Sequence, residues 1–203
     1  VGMAPAKLDR ATRIRRELGA NLLLLTDSTR LAEAAAGRDL DFLIEVDCGD
    51  KRGGLPPESP HLLAVAAAIE AGGNRVAGVL THAGHSYGTD DPNEVAKIAE
   101  TERATAVDAA TRLRAAGHAA EIVSIGSTPT VAFTKNLAGV TELRAGVYMP
   151  FDLDQMSRGV CAPDDLALSV LTTVIGHNRA AGRILVDAGG LALSKDISAH
   201  AFL

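Results

Sequence analysis

The sequence predicts an α/β fold: part of a (β/α)8 TIM-type barrel in residues 1–152, then the start of an all-β domain in residues 153–203. Continuously apolar segments alternate with helical segments four or five times, as strands buried on both faces and their helices do. Polar, glycine-rich and titratable residues follow these strands, where a parallel barrel carries its site. After Asp152, β-rich segments follow one another without a helix between them.

Caps, glycines and apolar spacing predict each element of the barrel portion. An amphipathic helix over 5–18 ends at Gly19, and Ser28 caps a helix that Gly37 closes. Successive units show no topological switch, so the barrel is favoured over an open doubly wound sheet. Strands are predicted at 21–25, 42–46, 75–80, 122–125 and 141–144, and helices at 5–18, 29–36, 60–71, 93–116 and 130–136.

The region after Asp152 follows a different pattern. Residues 152–156 predict a turn or short helix, and 187–190 predict a tight turn. The segments 167–175 and 183–186 are rich in β-branched and aliphatic residues, which predicts an antiparallel pair from a second domain.

Composition limits the function classes. The net charge of -5 and the absence of a basic stripe argue against nucleic-acid binding. Cys48 and Cys161 fit neither a disulfide framework nor a metal motif, and no apolar run suits a membrane span or signal peptide, so we expect a cytoplasmic protein. The chain begins without Met and ends after an apparent strand, and we therefore expect an internal portion of a longer protein, marginally stable when expressed alone.

The segment from Glu121 to Thr130 carries the clearest candidate site. A buried strand ends in Gly126-Ser127-Thr128, and Pro129 suits the first turn of a helix. Backbone N–H groups, two hydroxyls and a helix dipole would then converge on one point, which predicts an anion site, most economically for phosphate. An ordinary capped turn without a ligand is the alternative.

Three other strand ends carry candidate residues. Arg52 could hold a phenolate or carboxylate as a fixed cation, or lie in a solvated loop. His82, with His85 and Tyr87 in the same loop, indicates either a site or a satisfied histidine, and zinc lacks further local ligands. Gly146, after Arg144, suits either a second arm of the phosphate cradle or a β-turn beside Tyr148.

Taken together, these segments resemble the fold-type III pyridoxal-phosphate enzymes, in particular the D-threonine aldolase and D-serine dehydratase branch of the alanine racemase N-terminal barrel superfamily. The matching segments IEVDCGDKRGG, VLTHAGHSYG, SIGSTPT, TELRAGVYMPFD, VLTTVIGHN and RILVDAGGLALSKD follow the family's order over nearly the whole chain. The resemblance implies catalytic roles for His82 and Tyr87, and cofactor binding by Arg52, Tyr87, Ser127, Thr128, Arg144, Gly146, Val147 and Tyr148.

The resemblance also implies what these residues would contact. Ser127 and Thr128, with the backbone N–H groups of Gly146 and Val147, would hold the phosphate of pyridoxal 5'-phosphate. Tyr87 and His82 would flank the pyridine ring, and Arg52 would lie near the phenolic oxygen. Arg144 matches a position that contacts the pyridine nitrogen, where a cation would disfavour ring protonation and weaken the electron sink.

Two features of the family are missing from the chain. The Schiff-base lysine of the family lies upstream of Pro5, and none of the five lysines here has its context; Lys51, for example, sits in the loop that matches the family's arginine-bearing turn. The family's metal-binding histidine, with the cysteine or aspartate that follows it, would lie past Leu203, so a divalent Zn or Mn is expected only there.

The function implied by the resemblance is a pyridoxal-phosphate lyase for D-β-hydroxy amino acids, working by retro-aldol cleavage or dehydration, as a homodimer. A racemase of the same fold, a non-catalytic pyridoxal-phosphate carrier and another phosphate-ligand barrel enzyme are the alternatives. The β-rich segment 167–186 argues against the carrier, which would be a single domain.

Overall fold

A computed structural model describes residues 2–194 of the chain. It divides into two compact units, with the boundary between Ala145 and Gly146 rather than after Asp152. Lys195 and the rest of 195–203 lie outside the described residues. The domain limits 1–152 and 153–203 therefore stay predictions.

The first unit is a parallel five-stranded sheet whose strand order equals the chain order. Parallel neighbours in sequence order leave no topological switch, and this confirms the predicted barrel portion. The strands are β1 Leu23–Thr26, β2 Asp41–Glu45, β3 Arg75–Leu80, β4 Ile122–Ile125 and β5 Glu142–Leu143, and the helices are α1 Leu8–Leu18, α2 Thr29–Ala34, α3 Pro60–Ala71, α4 Pro92–Ala115 and α5 Thr128–Phe133.

Local signals explain most of these bounds. Gly19 ends α1 in the left-handed region, with φ of 59°, which is the usual helix stop. The Ser28 side chain accepts a hydrogen bond from the backbone N–H of Leu31 and so caps α2 as predicted. The last predicted helix begins at Thr128 instead of 130, because Ser127 acts as its N-cap.

The core lies between the sheet and the helices that cover it. Apolar side chains of the strands are almost fully buried, which is why the strands read as continuous apolar runs. The alanine-rich helices allow close packing on this surface. The core includes Leu24, Phe42, Ile44, Val76, Val79 and Val123 from the sheet, and Leu31, Leu62, Val65, Ile69, Ala106, Ala109 and Leu113 from the helices.

An ion cluster holds the amino-terminal end of the sheet. The Asp41 carboxylate accepts hydrogen bonds from Arg15 Nη1 at 2.6 Å and from Arg75 Nε at 2.8 Å. Burial alone would raise the pKa of Asp41, but the two guanidinium groups outweigh it and hold the pKa below its ordinary value. This cluster marks the edge of the sheet opposite the strand ends that carry the candidate site.

The second unit, taken by itself, contains α6 Leu153–Ser157, an antiparallel hairpin of β6 Val174–Asn178 and β7 Arg183–Val186, and α7 Gly190–Leu193. The hairpin confirms the predicted antiparallel pair and suggests the start of a β domain. Its first strand begins later than predicted, because Asp187 Oδ1 takes hydrogen bonds from Thr172 Oγ1 and the Thr173 N–H. Residues 167–173 form no strand.

Within residues 2–194, no helix has the length and apolar character needed to cross a bilayer.

Candidate active site

The carboxyl ends of β3 and β4 lie side by side and bring together two of the predicted site segments. Leu80 pairs with Ser124 in the parallel ladder, so the loops that follow each strand start next to one another. His82 Nδ1 lies 2.8 Å from the carbonyl oxygen of Gly126. The sequence motifs around His82 and Gly126 are therefore in direct contact.

Three hydroxyl groups form a cluster at this point. Ser127 Oγ lies 3.0 Å from Ser86 Oγ and 3.0 Å from Thr130 Oγ1. All three side chains are buried. Ser127 and Thr130 also form a capping box, in which each side chain accepts the other's backbone N–H. The cluster shows that this turn is a helix cap, while the anion site that the sequence predicts here stays a prediction.

The backbone donors of this turn are used differently from the prediction. The Gly126 N–H donates to Glu102 Oε1 at 3.0 Å, and the Ser127 N–H donates to Thr130 Oγ1 at 3.0 Å. A ligand would therefore meet hydroxyl groups here rather than these two amides. Thr128 is buried and is the first residue of α5.

Glu102 is a residue that the sequence analysis missed. It is 0% exposed on α4, and it accepts the Ala83 N–H at 2.9 Å in addition to the Gly126 N–H and the Thr130 hydroxyl. One sequence signal could have found it. Glu102 occupies the apolar stripe of α4 at helical spacing, between buried alanines at 99 and 106, where a carboxylate must have buried donors.

Arg144 lies beyond β5, against the same strand ends. Its guanidinium donates to Ser124 Oγ and to the carbonyl oxygen of Thr81, and burial lowers its pKa from the ordinary arginine value. Gly126 has φ of 137°, and a Cβ there would lie 2.5 Å from the carbonyl oxygen of Arg144. Only glycine allows this close approach. It places Arg144 beside the two residues Gly126 and Ser127 that join β4 to α5, which we call the Ser127 turn.

Arg52 is exposed, with Nε 3.9 Å from Asp50 Oδ2. The second residue that the sequence analysis missed, Glu45, ends β2 in the same region. Burial and then the nearby Asp27 raise the pKa of Glu45, while Arg52, Arg144 and His82 act in the opposite direction. Three of the predicted site residues thus act electrostatically on one carboxylate.

An open cleft of about 590 Å³ lies at the carboxyl ends of β1 and β2. Its lining mixes both signs of charge, with Asp27 and Glu45 against Lys7 and Arg30. A cleft of this size can hold a small polar ligand.

Tyr87 and His85 belong to a short 3-10 helix, Gly84–Gly88, and both are partly buried. His85 Nδ1 lies 3.9 Å from Asp50 Oδ1. Within residues 2–194, no three His, Cys, Asp or Glu side chains come close enough together to hold a metal ion.

Gly146, Val147 and Tyr148 fall in the second unit. Gly146 forms an exposed bend with open space around its Cα, and the Tyr148 side chain is 57% exposed. Their role as a second arm of the phosphate cradle stays a prediction. The lysines within the described residues, Lys7, Lys51, Lys97 and Lys135, are all exposed.

The donor set of the first unit fits a phosphorylated aromatic cofactor. The clustered hydroxyls suit a phosphate ester, and the guanidinium groups of Arg52 and Arg144 suit the anionic and electron-rich edges of a ring. The glycine at 126 lets the Arg144 backbone lie against the strand end that carries these hydroxyls.

Comparison with known proteins shows the family of the chain. Residues 6–153 match the family described as "Alanine racemase, N-terminal domain". The D-threo-3-hydroxyaspartate dehydratase of Delftia sp. strain HT23 is 47% identical over 97% of this chain and 53% of its own length. The solved structure of that dehydratase superposes with a TM-score of 0.91, again over 97% of this chain and 53% of the other.

Two further relatives are more distant. The D-serine dehydratase of Dictyostelium discoideum is 32% identical over 75% of this chain and 41% of its own length. The 3-hydroxy-D-aspartate aldolase of Paracoccus denitrificans is 29% identical over 95% of this chain and 52% of its own length. The chain thus spans about half the length of these relatives, which are dehydratases and aldolases of D-hydroxy amino acids.

Proposed function

Because the chain belongs to the alanine racemase N-terminal domain family, we propose that the full-length protein is a pyridoxal-phosphate-dependent lyase that removes water from a D-β-hydroxy amino acid, with D-threo-3-hydroxyaspartate as its substrate class. The observation that carries the proposal is the 47% identity to a D-threo-3-hydroxyaspartate dehydratase over 97% of the chain. The aligned region includes the loops that follow the strands of the first unit and carry its candidate site residues.

Bound pyridoxal phosphate supplies an electron sink for charge that develops at the substrate Cα. The protein must hold its phosphate, and the hydroxyls of Ser127 and Thr128 are the donors that we assign to this task. The N–H groups of Gly146 and Val147 would add backbone donors, with Tyr148 alongside. Tyr87 and His82 would flank the ring.

The charged and titratable residues of these loops fit this assignment. Arg52 is an exposed cation that can neutralise a phenolate or a substrate carboxylate. Arg144 is fixed by Ser124 and the Thr81 carbonyl, and its cation would keep a neighbouring ring nitrogen unprotonated. His82 can move a proton, because its Nδ1 bond to Gly126 leaves the other ring nitrogen for the substrate.

The proposal includes three properties that the resemblance implies: a divalent Zn or Mn ion, a homodimeric assembly and a cytoplasmic location. A solved cysteine-to-alanine mutant of the D-threo-3-hydroxyaspartate dehydratase is described as metal-free, which supports a metal in that relative.

Retro-aldol cleavage is the second candidate. It is favoured by the 29% identity to a 3-hydroxy-D-aspartate aldolase over 95% of the chain. Both reactions begin on the same class of substrate and need the same cofactor-binding residues, so only the products distinguish them.

We expect the full-length protein, given pyridoxal phosphate and a divalent metal, to convert D-threo-3-hydroxyaspartate to oxaloacetate and ammonia. Water loss at the β-carbon gives an enamine that hydrolyses to these products. The assay follows both products, with D-serine and D-threonine as further substrates and L-enantiomers as controls.

Three other outcomes of this assay would contradict dehydration. Glycine and glyoxylate from the same substrate would assign the protein to the aldolases. Inversion at the α-carbon without ammonia, seen as L-serine formed from D-serine, would indicate a racemase. Cofactor uptake with no product from any of these substrates would favour a carrier.

A further inference from the structure

The peptide group between Gly126 and Ser127 is held at both of its polar ends. Its carbonyl oxygen lies 2.8 Å from His82 Nδ1, and its N–H donates to Thr130 Oγ1 at 3.0 Å. The two partners come from different loops, so the orientation of one peptide links the helix cap to the histidine.

Glu102 sets the direction of the Thr130 hydroxyl. Thr130 Oγ1 lies 2.8 Å from Glu102 Oε2, and a carboxylate only accepts hydrogen bonds. The hydroxyl proton therefore points to Glu102, and the lone pairs of Thr130 Oγ1 face the Ser127 N–H. Reversing this hydroxyl would place a proton against the N–H.

Glu102 also fixes the residue on the other side of that peptide. Its Oε1 accepts the Gly126 N–H at 3.0 Å, and the Ile125 carbonyl just before accepts the Arg144 N–H at 2.9 Å. With φ of 137° at Gly126, the chain turns sharply here and presents the next carbonyl to His82.

A carbonyl oxygen cannot donate, so the hydrogen bond requires the proton of the neutral His82 ring to be on Nδ1. The lone pair then stays on Nε2. Which nitrogen of a histidine can act as a base is set by the bond that the other one makes.

We propose that Glu102 and Thr130 are positioning residues that fix the tautomer of His82 through the Gly126–Ser127 peptide. The relay runs from the carboxylate to the threonine hydroxyl, then to the peptide N–H, and from the peptide carbonyl to His82 Nδ1. That the Nε2 lone pair serves catalysis rests on the proposed function; the tautomer itself does not.

A purely structural role would use the same contacts as a helix cap. Loss of the cap would lower stability but leave the His82 ring in its tautomer. The helix-cap role and the tautomer-fixing role therefore predict different NMR signals for the His82 ring nitrogens, and these can be recorded without a bound cofactor.

The test is the imidazole nitrogen NMR spectrum of full-length, nitrogen-labelled protein without cofactor, with the His82 signals assigned by His82→Gln. We expect the unchanged protein to show the tautomer with the proton on Nδ1. Thr130→Val removes both the acceptor for Ser127 N–H and the donor to Glu102, and we expect the two nitrogen signals of His82 to shift toward a mixture of tautomers.

Three further variants make the outcome decisive. Thr130→Ser keeps the hydroxyl and should restore the original signals. Glu102→Gln keeps an acceptor for Gly126 N–H but turns an amide N–H toward Thr130, and should also give a mixture. Thr134→Val is the matched control, because its hydroxyl bonds to Asn136 O and lies outside the relay.

His82 signals that stay unchanged in both Thr130→Val and Glu102→Gln would overturn the proposal. So would a mixture of tautomers in the unchanged protein. Failure of the full-length protein to bind pyridoxal phosphate or to turn over any D-hydroxy amino acid would contradict the proposed function. The spectra would still show whether Glu102 and Thr130 fix the tautomer of His82.

Discussion

Glu102→Ala is expected to lower the free energy of unfolding by about 3–5 kcal/mol, because two buried backbone N–H groups and one hydroxyl lose their acceptor at once. The carboxylate is fully buried and joins the ends of β3 and β4 to the cap of α5. Its removal leaves donors that water reaches only by entering the core. Urea unfolding of the full-length protein measures the change.

Glu100→Ala is the control on the same helix. The Glu100 carboxylate is half exposed and pairs with Arg103 three residues later, so its loss should cost at most about 0.5 kcal/mol. Equal unfolding midpoints for Glu102→Ala and Glu100→Ala would show that the buried hydrogen bonds do not hold the strand ends together.

Gly126→Ala should be similarly damaging, with a loss of about 3 kcal/mol or more. Two costs add: a φ of 137° strains any residue with a Cβ, and that Cβ would lie 2.5 Å from the Arg144 carbonyl oxygen. Relief requires β4 and the segment after β5 to separate. Such a movement would pull Arg144 and the Ser127 turn apart, so affinity for pyridoxal phosphate should fall with stability.

The measurement is urea unfolding together with a pyridoxal phosphate titration. Gly189→Ala serves as the matched control, since its Cα has open space around it and no positive φ. A Gly126→Ala protein with the stability and cofactor affinity of the control would contradict the close approach seen at this turn.

The sequence was most informative where a local signal determines structure. The helix Pro60–Ala71 and the strand Arg75–Leu80 have the predicted bounds, because Ser59 and Pro60 start the helix and glycines separate it from the strand. The capped turn at Ser127 was only the alternative to the predicted anion site, and the helix was expected two residues later than it begins. The strand predicted at 167–175 was wrong over most of its length, since Asp187, distant in sequence, takes up the threonine donors there.

The site shows the limit of local reasoning more clearly. Gly126-Ser127-Thr128 could be identified from residue types, yet the use of its N–H groups depends on Glu102, which lies 24 residues from Gly126. Glu45 is similar, because the residues that lower its pKa come from three separate loops. No periodicity in the sequence reports which strand ends become neighbours.

If the Ser127 turn binds the phosphate of pyridoxal phosphate, the protein must bind pyridoxal phosphate more tightly than pyridoxal, and titration with the two compounds measures this difference directly. The full-length protein and two variants are titrated, following the visible absorbance of the bound cofactor. Ser127→Ala removes the assigned donor. Ser59→Ala is the matched control, because Ser59 also caps a helix, α3, but lies outside the cluster of hydroxyls.

We expect the unchanged protein and Ser59→Ala to bind pyridoxal phosphate at least about tenfold more tightly than pyridoxal, a difference of about 1.4 kcal/mol, and Ser127→Ala to lose most of this advantage. Equal affinities for the two compounds in the unchanged protein would contradict phosphate binding by the Ser127 turn. So would a preference for pyridoxal phosphate that Ser127→Ala leaves intact.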